Sequence, residues 1–69
     1  MGIDMSVSVG DMRPGDRVMV NGIPRIVVGT PYADRWIPGR FNVLVTTPDL
    51  GVRHVLWGDS VARFERVSD

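Results

Sequence analysis

Apolar and polar positions alternate most cleanly between Arg40 and Trp57. Two runs rich in β-branched and aromatic residues, Arg40-Phe-Asn-Val-Leu-Val-Thr-Thr47 and Val52-Arg-His-Val-Leu-Trp57, flank Pro48-Asp-Leu-Gly51. Such runs around a short Pro- and Gly-bearing segment predict a β-hairpin. Pairing Thr47 with Val52 sets Val45 opposite His54, Leu44 opposite Val55, Val43 opposite Leu56 and Asn42 opposite Trp57. Because side chains alternate across a strand, Phe41, Val43, Val45, Val52, His54 and Leu56 then share one face. That set is the candidate core. The opposite face is polar except for Leu44, Val55 and Trp57.

The same period-2 signal marks three more strands. Arg17-Val-Met-Val20 follows a turn cluster that contains Pro14-Gly15, and Arg25 to Thr30 follows Asn21-Gly22. A two-residue Asn-Gly loop places Arg25 beside Val18, whereas an odd-numbered loop groups Val18 and Val20 with Ile26 and Val28. The odd loop is therefore expected, with Gly22 in a left-handed or bulge conformation and with Met19 and Val27 facing outward. Residues 31–39 form the longest irregular stretch. After the hairpin, Gly58 to Val61 makes a tight connection into a closing strand, Ala62–Val67. Before Met12, residues 1–11 read as an arm or short strand that Met5, Val7 and Val9 tie to the domain. The expectation is an all-β domain over 12–69, a small five-stranded barrel with a short N-terminal arm.

Composition narrows the function classes. A chain of 69 residues buries only about 60% of its unfolded surface, so its core is thin. With no Cys and one His it has neither disulfides nor the ligands for a structural zinc site, so no metal and no cofactor are expected. The longest apolar runs fall far short of the ~20 residues of a membrane span, and no signal-peptide core is evident, which sets the expected location as cytoplasmic, without membrane contact. Eight basic residues balance eight acidic ones, leaving no surplus charge for nonspecific phosphate binding. All eight basic residues are Arg, and Asp outnumbers Glu, a bias matching G+C-rich codons. It points to a high-G+C bacterium or its phage as the source.

Five short strands, a long loop after the second, a hairpin between the third and fourth and a near-immediate turn into the fifth resemble the small SH3-like β-barrel domains of bacteria and their phages. The resemblance covers about Met12 to Val67. Its opening, Arg13-Pro-Gly-Asp-Arg-Val-Met-Val20, is also similar to the start of a KOW motif, whose members bind ribosomal RNA or RNA polymerase. Pro24-Arg25-Ile26-Val27 stands where that motif has further glycines. The resemblance implies a fold, and a fold of this kind serves many functions.

Motifs for catalysis are thin. Gly58-Asp59-Ser60-Val61 is similar to an esterase nucleophile block, but Asp and Ser are also the residues a turn prefers, and a single His leaves little to activate a serine. His54 reads as half-buried structure. The chain is expected not to be an enzyme. The informative residues are Tyr32, Arg35, Trp36 and Arg40, of types that dominate binding hot spots and placed on a loop. Trp36 either covers the open end of the barrel or contacts a partner. Leu44, Val55 and Trp57 form an outward apolar patch, the mark of an interface. The expected function is a non-enzymatic protein-interaction or self-assembly module that binds protein, itself included, through these seven residues. The alternative is a nucleic-acid-binding barrel with Arg13, Arg35, Arg40 and Arg53 on phosphates and Tyr32 or Trp36 stacked on bases.

Overall fold

The computed structural model describes residues 2–68, with side chains described for residues 6–67. Seven strands form one curled antiparallel sheet: β1 (Gly2–Val7), β2 (Arg17–Val20), β3 (Ile23–Val27), β4 (Tyr32–Ala33), β5 (Phe41–Thr46), β6 (Arg53–Gly58) and β7 (Phe64–Ser68). Their order is β1-β7-β2-β3-β5, with β6 on the far edge of β5 and β4 continuing along the β3 edge. The sheet is a half-barrel of seven strands rather than five. The additional strands are β1 and β4. β1 pairs with β7, so much of the segment expected to be an arm or short strand is part of the sheet.

The β5–β6 hairpin has the register the alternation predicts, from Phe41 opposite Gly58 to Thr46 opposite Arg53, and the Thr47 amide donates to the Val52 carbonyl at 2.9 Å. Val43, Val45 and Leu56 are buried, and Phe41 packs against them. Val52, expected in the core, is exposed, because it sits past the last ladder pair where the strands give way to the turn. Val18 and Val27 complete the sheet's share of the core. The remaining buried apolar side chains come from before β2. Val7 ends β1, Val9 begins a single 3₁₀ turn (Val9–Asp11), and Met12 follows it. The Met5 side chain lies outside the described residues. The 3₁₀ turn fits against β5 and β6 through two glycines. The Gly10 Cα faces the Phe41 ring, and a Cβ on Gly58 would lie 3.3 Å from Val9 Cγ2 and 3.1 Å from Ala62 Cβ.

The β2–β3 turn corrects the expected odd loop. Asn21 and Gly22 have φ of 52° and 79° and form a two-residue turn with Val20 opposite Ile23 and Val18 opposite Arg25. Two consecutive positive φ values match the right-handed twist of the flanking strands, and Asn-Gly is the pair that adopts them most easily. Changing the loop by one residue reverses the alternation. Val27 therefore points into the core rather than outward, while Ile26 is half-buried and Val28 exposed. Arg25 beside Val18 is half-buried, and one of its terminal nitrogens donates to Thr47 Oγ1 just after β5, although its Nε is buried without a partner. Met19 faces outward as expected, level with Pro24 and Glu65.

If the pre-β2 segment completes the core, truncating Val9 must cost as much as truncating a sheet valine. Val9→Ala is expected to destabilise the chain by about 2 kcal/mol, the range for deleting fully buried methyl groups. Urea unfolding followed by circular dichroism measures this, and a loss below about 0.5 kcal/mol would reduce the segment to a surface arm.

Candidate binding site

The segment between β4 and β5 is closed by Asp34. Its backbone amide donates to the Arg40 carbonyl at 2.7 Å, and its Oδ1 accepts from the Trp36 and Ile37 amides at 2.8 and 2.9 Å. A short carboxylate accepting bonds from the second and third residues after it is a strong turn-former. The Arg40 amide donates to the Ile37 carbonyl, and Gly39 supplies the positive φ that brings the chain back to β5.

The other carboxylate oxygen of Asp34 organises the outer face of the sheet. Asn42 lies on that face by register yet is only 6% exposed. Its Nδ2 donates to Asp34 Oδ2 at 2.9 Å, and its Oδ1 accepts from Arg40 Nε at 3.3 Å. Arg40 Nε also lies 3.4 Å from Asp34 Oδ2, and its guanidinium carbon sits 4.3 Å from the centre of the Trp57 ring. Trp57 faces Asn42 across the β5–β6 ladder, and Tyr32 faces Asn42 from β4. One row thus runs Tyr32, Asn42, Trp57. The next sets half-buried Leu44 beside Val55. The Asn42 amide, the Trp36 and Ile37 amides and then the Arg40 charge stabilise the Asp34 carboxylate, in that order, against the opposing effect of burial. Together they pull its pKa down to about 2.

This scaffold fixes the geometry of an exposed surface. Trp57 remains 57% exposed and, with Ile37, Pro38, Arg40 and Asp59, lines an open cleft of about 360 Å³. The cleft thus sets apolar walls beside a fixed guanidinium and a carboxylate. Of the seven residues singled out from sequence, Arg40 and Trp57 are in contact, Leu44 and Val55 are paired, and Tyr32 shares the Trp57 row. Arg35 and Trp36 form a separate pair on the loop, 5.7 Å from guanidinium carbon to ring centre. Trp36 is 82% exposed, so it does not cover the barrel end. Asp34, Asn42, Ile37, Pro38 and Asp59 were not legible as site residues. The available signals were an Asp six positions before Arg40 and an Asn in mid-strand, where Asn is disfavoured.

The esterase-like block is a turn, since Asp59 Oδ1 accepts from the Val61 and Ala62 amides at 3.1 and 2.9 Å. His54 is half-buried opposite Val45. Among the described residues no cluster of His, Cys, Asp and Glu is arranged to hold a metal ion, and no helix is long and apolar enough to cross a membrane.

Asp34 makes the loop acid-sensitive in a defined direction. Its folded pKa lies below its ordinary value of about 3.9, so its contribution is full above that value. It is lost as pH falls from about 4 through about 2. Nuclear magnetic resonance of the Trp36 and Trp57 indole protons should show a transition with a midpoint near pH 2. It should be absent in Asp34→Asn, and a midpoint at or above the ordinary aspartate value would mean that the clamp does not hold in solution.

Set against models of known protein families, against curated proteins and against solved structures, the chain matches none of them.

Proposed function

We infer that this chain is a non-enzymatic protein-interaction module, an SH3-like small barrel that takes a protein partner on the outer face of the β5–β6 hairpin and the adjoining 34–40 loop. The observation that carries this reading is the pinned but open Trp57. Arg40 is held over its ring at 4.3 Å by Asp34 and Asn42, while more than half of the residue stays accessible beside Ile37 and Pro38. Tryptophan and arginine dominate interface energetics when they arrive already ordered, because little side-chain freedom is then lost on binding. Val55 and Leu44 extend the apolar surface along the same face. The SH3-like reading is supported by the succession β2, β3, β5, β6, β7, with the long loop after the second, the hairpin between the third and fourth and a short turn into the fifth. Pairing of β2 with β7 brings the ends of that path together.

The nucleic-acid reading retains exposed Tyr32, Trp36, Arg35 and Arg53. It is weakened at Arg40, whose guanidinium is engaged by Asp34, Asn42 and Trp57. With net charge zero, binding to single- or double-stranded DNA or RNA should be weak and salt-sensitive, since even four phosphate contacts on a duplex give a log–log salt slope of only about −3.6. Fluorescence anisotropy with labelled oligonucleotides measures it, and sub-micromolar affinity near physiological salt would put this reading first.

The interaction reading predicts that Leu44→Ser with Trp57→Ala leaves the fold intact, at a cost of about 1–2 kcal/mol, because neither residue belongs to the core. The same double substitution should abolish the complexes the parent chain forms, whether with itself or with a partner. Circular dichroism reports the first outcome and light scattering the second. Unfolding of the double variant, or complexes unchanged from the parent chain, would remove this face as the interface.

A further inference from the structure

We propose that β6 is a self-complementary edge through which two copies of this chain pair antiparallel about a two-fold axis at Val55, joining their half-barrels into one continuous sheet. The inference deepens the interaction reading by naming the partner, a second copy, and the atoms that meet.

Among the described residues β6 pairs only with β5, and no ladder joins it to β1 at the other end of the sheet. In an antiparallel pair, alternate residues exchange both backbone bonds with the neighbour. The Thr47 amide bonds to the Val52 carbonyl, so the bonded pairs that follow are Val45–His54, Val43–Leu56 and Phe41–Gly58. The N–H and C=O groups of Arg53, Val55 and Trp57 consequently point to the open side. Natural edge strands are usually blunted by Pro, Lys, a bulge or a cover. β6 contains neither Pro nor Lys, its register with β5 is unbroken, and Arg53 at its start is its only formally charged residue at neutral pH. At its end Gly58 is crowded on the inner face, where a Cβ would meet Ala62 and Val9, and the strand gives way to the turn at Asp59.

The sequence of this edge complements itself. Antiparallel pairing centred on Val55 uses the whole open stretch without needing Gly58. It sets Val55 against its own copy and Arg53 against Trp57 of the second chain, twice. Each of these pairs directs its free N–H and C=O groups at the other. Val55 is 48% exposed and Trp57 57%, and both lie on the outer face, so Val55 meets its copy at the axis and Trp57 meets Arg53 of the second copy. Arg40 lies over the Trp57 ring at one position, and an aromatic ring has a second face for a guanidinium. Pairing centred on His54 leaves Trp57 without a partner on the open stretch. Pairing centred on Leu56 keeps the Val55–Trp57 pairs but sets Arg53 against Asp59, which lies past the end of β6 and caps the next turn.

The test separates backbone from side chain. Light scattering across a concentration series of the full chain should show the mass rising toward twice that of one chain. Val55→Pro removes an N–H that β5 does not use, so it should keep the parent circular dichroism spectrum and remain a monomer. The parent chain has no Cys, so Val55→Cys introduces a unique thiol. The two Cα atoms would lie about 5.5 Å apart, inside the roughly 4.4–6.8 Å that a disulfide bridges. Mild oxidation should therefore link this variant into dimers at least ten-fold faster than Val61→Cys, an exposed control in the turn after β6. A parent chain that stays monomeric throughout, a folded Val55→Pro chain that still dimerises, or equal cross-linking of the two thiols would overturn the proposal. Should Val55→Pro fail to fold, the cross-linking comparison decides alone. A monomeric chain that still binds a different protein through Trp57 and Leu44 would end the dimer and leave the interaction reading standing.

Discussion

All the strands that shape the candidate surface are hydrogen-bonded to β5. On one side it carries the full length of β6, and on the other it is shared between the end of β3 and the two residues of β4. The division places the irregular segment between β3 and β5 at the N-terminal half of β5, with Asp34 able to reach Asn42. The inner face of the same strand supplies Val43 and Val45, both fully buried. β5 thus anchors the core on one side and the polar clamp on the other, and a shift in its register would disrupt both at once.

The thinness of the core explains much of the remaining architecture. Its buried side chains are mostly valines, and the sheet contributes them from one concave face. A curled sheet of this size cannot bury enough apolar area by itself. Val7, Val9 and Met12 complete the core cluster, and the 3₁₀ turn packs on β5 and β6 where Gly10 and Gly58 let the backbone come close. The end of β1 and the 3₁₀ turn therefore contribute to stability, while among the described residues no strand pairs with the outer edge of β6.

On the outer face the same economy is achieved with polar groups. Burying Asn42 would be costly if its amide were unpaired. Asp34 and Arg40 satisfy it, and in doing so they fix Arg40 against Trp57. Hydrogen bonds to a charged carboxylate are stronger than those between neutral groups, which is consistent with the depressed pKa of Asp34. The result is an ordered aromatic–guanidinium pair at the surface of a very small protein. Order of this kind lowers the entropic cost of binding without requiring a large interface.

The sequence alone determined the β5–β6 hairpin, pair by pair, because its period-2 pattern runs for six residues on each side of a turn and one face is decisively more apolar. It also determined the general position of the exposed aromatic and arginine residues, since no core periodicity claims them. Three things were decided only in the tertiary structure. The two-residue β2–β3 turn that Asn21-Gly22 favours locally sets Arg25 beside Val18, and its acceptor across the sheet, Thr47, lies twenty-two residues away. Alternation marked Val7 and Val9 as anchors for the N-terminal segment, but that they are fully part of the core was decided by the space the curl of the sheet leaves. The clamp of Asp34, Asn42 and Arg40 depended on β4 docking beside β5, a two-residue pairing too short to leave a periodic signal. Local alternation reports which face a side chain takes, but which groups lie across from it is settled only when distant strands meet.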